Sequence, residues 1–293
     1  MRILHISWEY PPLLYGGLGR HVHALAEHQA ANGNDVTVLT QRPLGATDAE
    51  TVNGVHVIRV DPPSSEVPRI PEALIEWTHA LDERLAAATP AAIAAATPDV
   101  AHAHDWVVSA AAAAAGTQLP LVTTVHATEG GRHGGWVNIP LSQTIHNAEF
   151  VLTNRSDRVI ACSRAMRSEI HQLFGIAPER IDVIPNGIDL TDWTPGEGGY
   201  GQPPTVVFTG RLEWEKGVHV LLSAVRLLLS ANEAPLVLIA GTGTREHILK
   251  AEFADLIESG TVRFLGWVSE HELRELVRTA TVAVVPSIYE PFG

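Results

Sequence analysis

Short aliphatic and β-branched runs alternate along the chain with longer helical stretches, the pattern of parallel strands joined by crossover helices. In the first half the predicted strands are Arg2–Ser7, Asp35–Thr40, His56–Val60, Val100–His104, Leu121–Val125, Asp157–Ala161 and Ile181–Ile184. Several are almost continuously apolar, as strands covered on both faces are. Helices are predicted between them at Leu18–Asn32, Pro71–Ala88, Trp106–Ala115, Ser142–Leu152 and Arg164–Phe174, the last with Ser163 placed to cap it.

Residues 191–204 interrupt this alternation with Gly196, Gly198, Gly199 and Gly201 between prolines, a linker composition. A second alternation follows, with strands at Val206–Thr209, Leu236–Ala240, Val262–Leu265 and Val282–Val285 and helices at Val218–Ser230, Thr244–Ile257 and Glu270–Arg278. The pattern predicts an α/β protein with one domain over residues 1–190, a linker over 191–204 and a second domain over 205–293. A doubly wound nucleotide-binding half usually has more strands (about six in the two-half arrangement), so the second domain is expected to be truncated.

Composition narrows the chemistry. The 293 residues suit two domains, each with its own core. With 33 acidic against 20 basic residues the formal charge is −13, which disfavours a nucleic-acid partner. A phosphorylated substrate must then be held by a few focused cations and backbone N–H groups. The lone cysteine, Cys162, allows no intrachain disulfide, in keeping with a cytoplasmic location. Met1 to Ser7 lead straight into a strand-like run, so no signal peptide is expected. The bland stretch Val107–Ala115 is too short to span a bilayer, so no transmembrane segment is expected.

Candidate chemistry collects in the loops that follow strands. The first loop, Trp8 to Arg20, carries Glu9, Gly16, Gly17 and Gly19 ahead of a helix. Glycines there let backbone N–H groups reach an anion beside the positive end of a helix, or simply make a flexible turn. The three-glycine spacing of the dinucleotide fingerprint is absent. His102 and His104 share one face of a strand end, a spacing that suits a metal; equally, one histidine is packed and Asp105 caps the next helix. His126 follows the next strand, with Glu129, Gly130, Gly131, Gly134, Gly135 and Trp136 in a loop shaped for a ligand, although a lone histidine is more often structural. In the second half, Gly210-Arg211-Leu212-Glu213-Trp214-Glu215-Lys216-Gly217 joins a strand to a helix. The Arg211 fork and the compact Lys216 charge together match a diphosphate, whereas most such pairs are solvated surface charges. Gly241 and Gly243 follow the domain's second strand, where they could admit a ribose or phosphates. Asn186 and Asp189, in Pro185-Asn186-Gly187-Ile188-Asp189, otherwise read as an ordinary turn.

Taken in order, these segments resemble glycosyltransferase family 4 and the bacterial glycogen synthases, enzymes of the GT-B fold. The matching pieces are Pro11-Pro12 with Gly16-Gly17-Leu18-Gly19, His104-Asp105-Trp106, Val125-His126-Ala127-Thr128, Pro185 to Asp189, Gly210-Arg211-Leu212 with Lys216-Gly217, and Glu290-Pro291-Phe292-Gly293. Trp8 to Pro12 and His126 to His133 carry a narrower likeness, to actinobacterial α-1,4-glucosyltransferases of methylglucose lipopolysaccharide and glycogen synthesis. The resemblance implies two Rossmann-like domains facing across a cleft, the first for the acceptor and the second for the nucleotide-sugar donor. It implies a retaining glycosyltransferase that moves glucose from UDP-glucose or ADP-glucose to an α-1,4-glucan or related oligosaccharide acceptor, with no metal and no cofactor.

By the same resemblance, Arg211 and Lys216 hold the donor diphosphate, His126 lies by the transferred sugar, and Glu290 binds its hydroxyls. Gly16, Gly17, Gly210, Gly241, Gly243, Phe292 and Gly293 contribute to donor binding. Glu9, His104, Asp105, Glu129, Asn186 and Asp189 shape the cleft. A second Glu that completes the family's motif would fall past Gly293, so the chain alone is expected to bind donor weakly, to transfer sugar poorly, and to self-associate through its truncated domain. The rival expectations are a non-catalytic glucan- or partner-binding module and a GT-B hydrolase or epimerase of nucleotide sugars.

Overall fold

The computed structural model describes residues 1–64, 71–190, 193–194, 204–231, 233 and 235–291, without the side chains of residues 71 and 72. Most of the predicted linker lies outside them, and so do Phe292 and Gly293. The described chain divides into two compact units, which meet in sequence between Gly187 and Ile188.

Unit 1 runs β1 (Arg2–Ile6), α1 (Gly17–Ala31), β2 (Asp35–Gln41), β3 (Ala49–Val52), β4 (Val55–Val60), α2 (Pro71–Ala96), β5 (Val100–His104), α3 (Ser109–Gly116), β6 (Leu121–Val125), α4 (Glu129–Arg132), α5 (Pro140–Arg155), β7 (Arg158–Ala161), α6 (Arg164–Phe174) and β8 (Ile181–Val183). Its eight strands are ordered β3-β4-β2-β1-β5-β6-β7-β8. All pairs are parallel except β3 with β4. That hairpin was not predicted. It closes through Asn53 and Gly54 at φ 49° and 82°, the two positive values that a tight two-residue turn between twisted strands requires.

Alternate strand residues feed separate cores, because successive side chains point to opposite faces. Val36 and Val38 of β2 join Val55 and Val57 of β4 under Val22 and Ala26 of α1. Leu39 of β2 instead joins Leu4 and Ile6 of β1 under Trp77, Leu81 and Leu85 of α2 and the alanines of α3. Each fully buried leucine of this kind stabilises the fold by about 1.5–3 kcal/mol relative to exposure. One departure from the predicted helices has a local cause. Helix α2 continues through Pro90 to Ala96 rather than stopping at Ala88, since Leu85, Thr89 and Ala92 remain buried on that side. Its Asp82 carboxylate accepts from Ala110 N at 2.7 Å and Ala111 N at 3.0 Å, capping α3 from a neighbouring helix.

Unit 2 runs β9 (Thr205–Thr209), α7 (Val218–Ser230), β10 (Leu236–Ala240), α8 (Glu246–Glu252), α9 (Ala254–Glu258), β11 (Val262–Gly266), α10 (Glu270–Thr279) and β12 (Val282–Ala283). Its four strands are parallel and ordered β11-β10-β9-β12. Leu222 and Val225 of α7 pack with Phe208, Val237, Ile239, Leu249, Phe253 and Leu256. The helix predicted over 244–257 is broken at Phe253, whose ring is buried and stands beneath the Arg226 guanidinium at 4.5 Å.

Each sheet reverses its winding once, between β1 and β5 in unit 1 and between β9 and β12 in unit 2. Ligands of open α/β sheets bind outside the carboxyl ends of strands at such points. Among the described residues no helix is long and apolar enough to cross a membrane.

Candidate active site

In unit 2 three loops converge at the reversal. Backbone bonds from Gly210 N to Ala240 O (3.0 Å), Leu212 N to Thr242 O (2.9 Å) and Arg245 N to Leu212 O (2.9 Å) lock the loop after β9 to the loop after β10. Glu213 adds to the clamp by accepting from Thr244 N and Thr244 Oγ1 at 3.0 and 2.5 Å. The glycines make this approach feasible. A Cβ on Gly241 would stand 1.9 Å from Gly210 O, and one on Gly243 would stand 2.5 Å from Leu212 O. At Gly241 and Gly243 the absent side chains thus make room for neighbouring backbone.

The segment after β12 docks onto the same loop. Gly217 takes φ 66°, and a Cβ there would meet Pro286 O at 2.0 Å. Past that contact, Ile288 N and Tyr289 N donate to Glu215 O at 2.8 and 3.3 Å. The result is a half-buried ion pair of Lys216 Nζ with Glu290 Oε2 at 2.7 Å, and Ser287 Oγ donates to the same carboxylate oxygen at 3.2 Å. Arg211, whose side chain is more exposed, pairs with Glu215 at 3.2 Å. The sequence pairs Arg211 with Lys216 and sets Glu290 apart from them; the fold brings Lys216 and Glu290 into contact. Glu213 and Glu215, which hold the loop, went unassigned.

In unit 1 the loop after β1 has its own internal anion. The buried Glu9 carboxylate accepts from Tyr15 N at 2.7 Å and Gly16 N at 3.0 Å. Burial raises its pKa, and these backbone N–H groups oppose the rise. Gly19 is needed for the approach, since a Cβ would lie 2.8 Å from Glu9 Oε2. The Gly16 N–H, expected to meet a phosphate, here donates to Glu9. Space is open where a Cβ would stand on Gly16 or Gly17.

The carboxyl ends of β1, β5 and β6 carry a cluster of imidazoles. In-register pairing sets His5 beside His102. His5 Nδ1 lies 3.0 Å from His104 Nε2, and His104 Nδ1 lies 3.4 Å from His126 Nε2. The far side of His5 meets Gln29 Oε1 at 2.7 Å, and His102 meets Thr124 Oγ1 at 2.8 Å. His21 of α1 stands edge-on to His126 with ring centres 5.0 Å apart. Burial depresses the pKa of His5 to about 4 and of the half-buried His126 to about 3, and holds His102 and His104 well below the ordinary value. These rings are neutral at pH 7. Two sets, His5-His102-His104 and His21-His104-His126, have nitrogens within 4.8 Å of one another and could hold a metal ion. His5, His21 and Gln29 were not predicted; a histidine inside the otherwise aliphatic run of β1 was the available signal.

Asp105, at the end of β5, takes φ 66° and ψ 173°, a backbone region that residues other than glycine rarely adopt. Its side chain accepts from Trp106 N at 2.9 Å, so the capping alternative holds. Burial pushes its pKa up, against the pull of Arg132. Glu129 is buried at the start of α4, where it accepts from Ser142 Oγ at 2.6 Å and its own N–H donates to Glu149 Oε1 at 2.8 Å. Glu149, also unpredicted, is buried near Asp105 and Glu129, and burial raises its pKa to about 9. Asn186 is half-buried at the end of unit 1, and Asp189 is exposed in unit 2.

Known proteins share both the sequence and the architecture. The model for Glycosyltransferase Family 4 matches residues 15–192, and that for Glycosyl transferases group 1 matches residues 191–293. A glycogen synthase of Mycobacterium tuberculosis is 40% identical over 100% of this chain and 74% of its own length. Among solved structures, a sucrose-phosphate synthase from Thermosynechococcus elongatus aligns at TM-score 0.77 and 22% identity, over 99% of this chain and 76% of that one. The catalytic domain of starch synthase IV from Arabidopsis thaliana, bound to ADP and acarbose, aligns at 0.72 and 17% identity, over 99% and 79%. With a strand reversal in the sheet of each unit, and a family model spanning more than half of its residues, the chain belongs to glycosyltransferase family 4 and is a glycosyltransferase of the GT-B fold.

Proposed function

We propose that this glycosyltransferase moves glucose from a nucleotide-glucose donor, UDP-glucose or ADP-glucose, to an α-1,4-glucan or related glucoside, with retention of anomeric configuration. Unit 2 takes the donor and unit 1 the acceptor. The observation that carries the reading is the Lys216–Glu290 pair at the strand reversal of unit 2, with Arg211 on the same loop. A compact cation and a carboxylate in contact match the two halves of a nucleotide sugar, an anionic diphosphate joined to a ring of hydroxyls.

When donor binds, its diphosphate competes with the Glu290 carboxylate for Lys216, and the released carboxylate accepts from sugar hydroxyls. Charge grows on the leaving phosphate as the glycosidic bond breaks. Cations already aimed there lower the barrier, because they interact more strongly with the transition state than with the bound donor. His126 meets a hydroxyl of the transferred sugar. The open space at Gly16 and Gly17 leaves room for close approach of a ligand to backbone. No step in this scheme requires a metal or a cofactor.

The test is a donor panel with a short α-1,4-glucan acceptor, followed by product analysis. Transfer of glucose from one nucleotide donor with the α-configuration kept is expected. Release of free glucose at the same rate with and without acceptor would overturn the transferase reading in favour of hydrolysis.

A further inference from the structure

We propose that Gln29 of α1 and His5 of β1 are positioning residues that fix the tautomer of His126, and so restrict that histidine to accepting a hydrogen bond from a sugar hydroxyl. The inference rests on the reading of His126 as the residue that meets the transferred sugar.

A neutral imidazole has one N–H and one lone pair, so a hydrogen bond at one nitrogen decides the role of the other. The chain starts at Gln29 Oε1, which can only accept. His5 Nε2, 2.7 Å away, therefore carries the proton, and His5 Nδ1 carries a lone pair. That lone pair faces His104 Nε2 at 3.0 Å, so His104 donates from Nε2 and its Nδ1 is an acceptor. Across 3.4 Å, His126 donates from Nε2 to His104 Nδ1. His126 Nδ1 is left with a lone pair. An extra proton on His5 or His104 would set two N–H groups against each other at a contact, and burial already disfavours the charged forms.

The other rings do not interrupt this order. His102 turns Nε2 to Thr124 Oγ1, and His21 meets His126 edge-on. A lone pair at Nδ1 selects its ligand by chemistry. A sugar hydroxyl has a proton to give, whereas an ionised phosphate oxygen has none. The relay thus assigns His126 to the sugar and leaves the diphosphate to cations. A metal ion held by His21, His104 and His126 through His126 Nε2 would demand the opposite tautomer.

The experiment uses the full chain with 15N-labelled histidine and long-range 1H–15N correlation spectra, which identify which ring nitrogen is protonated. His126 signals are assigned by their loss in His126→Gln. At neutral pH, His5, His104 and His126 are each expected to be protonated at Nε2. Gln29→Leu should convert His126 to a mixture of tautomers, and Gln29→Glu, which keeps an acceptor, should preserve the single form. In transfer assays Gln29→Leu should lower kcat about five- to tenfold, the scale of one neutral hydrogen bond, with little change in donor KM. A donor whose contacting hydroxyl is replaced by fluorine, which accepts but cannot donate, should be insensitive to Gln29→Leu. Protonation of His126 at Nδ1 in the unsubstituted chain, or an unmoved tautomer in Gln29→Leu, would overturn the relay, as would saturable zinc binding that removes the Nε2 proton. If instead the spectra behave as expected and His126→Ala leaves transfer unchanged, the relay stands and the sugar contact of His126 fails.

Discussion

Lys216 and Glu290 lie 74 residues apart in sequence, and their charged atoms are 2.7 Å apart. The contact brings the third residue of a one-turn helix after β9 to a residue just beyond β12, across the point where the sheet of unit 2 reverses. Each partner is half-buried, so the pair is neither a freely solvated surface contact nor a fully desolvated one. Such a pair can exchange one partner for a ligand of matching charge.

Removing the carboxylate charge should therefore separate binding from chemistry. In Glu290→Gln, Lys216 has no internal anion, and a nucleoside diphosphate should bind more tightly by titration calorimetry. Transfer should slow, because the sugar loses its carboxylate. Lys216→Ala should lower both, with kcat/KM down at least about tenfold, equivalent to about 1.4 kcal/mol. Parallel loss of nucleotide affinity in both variants would show that the pair acts only as a strut.

Gly217 makes a sharper structural prediction. A Cβ at this position would penetrate Pro286 O, and φ 66° is itself unfavourable for alanine. Gly217→Ala should displace the segment that carries Glu290 and lower transfer at least as far as Glu290→Ala does. Of that segment's described residues only Val284 is packed against the core of unit 2, so the thermal midpoint should fall only modestly. Full activity in Gly217→Ala would mean that Glu290 need not dock on the loop after β9.

Most of the fold could be read from the sequence because the central strands are largely buried and short of charge, so their apolar and β-branched runs stand out between the helices. Val100–His104, Leu121–Val125, Arg164–Phe174, Val218–Ser230 and Leu236–Ala240 have the predicted bounds. The β3–β4 hairpin escaped because Ala49–Val52 is exposed and carries no apolar run, although Asn53-Gly54 was a usable turn signal. Helix α2 outran its prediction because Ala92 and Ile93, past Pro90, still pack on the core of unit 1, although Pro90 cannot donate its helical hydrogen bond. For the site, the residue types were legible and their partners were not. Nothing local to Glu9 says that its carboxylate will sit on the N–H of Gly16, and nothing near His104 points to His5 and Gln29. Those contacts depend on strand order and register.

Glu149 should make stability fall as pH rises. Burial lifts its pKa from an ordinary carboxylate value to about 9, and Oε2 is buried without a hydrogen-bond partner. Between the two pKa values the folded chain holds a proton that the unfolded chain has released. Stability from this group is thus complete below the unfolded pKa and is lost as pH rises toward 9. The slope is at most about 1.4 kcal/mol per pH unit. Glu149→Gln, neutral at every pH, should flatten the decline between pH 6 and 8.5 in urea-unfolding series. An unchanged slope would place the titrating group elsewhere.

The histidine cluster predicts the opposite dependence on the acid side. His5 and His126 have folded pKa values of about 4 and 3, and His102 and His104 are also strongly depressed, each with burial as the leading cause. Below the ordinary histidine pKa the unfolded chain binds protons that the folded chain refuses. The stability that these neutral rings contribute is complete above about pH 6.5 and is lost as pH falls toward 4. Because four rings act together, the loss should be steeper than one proton per molecule can produce. Urea midpoints measured from pH 7 to 4.5 should give a slope corresponding to uptake of more than one proton on unfolding. In His102→Asn, which keeps a polar partner for Thr124, the slope should drop by up to one proton while the midpoint at pH 7.5 moves less. A slope of one proton or fewer in the unsubstituted chain would mean that the cluster opens to solvent and charges before the fold gives way.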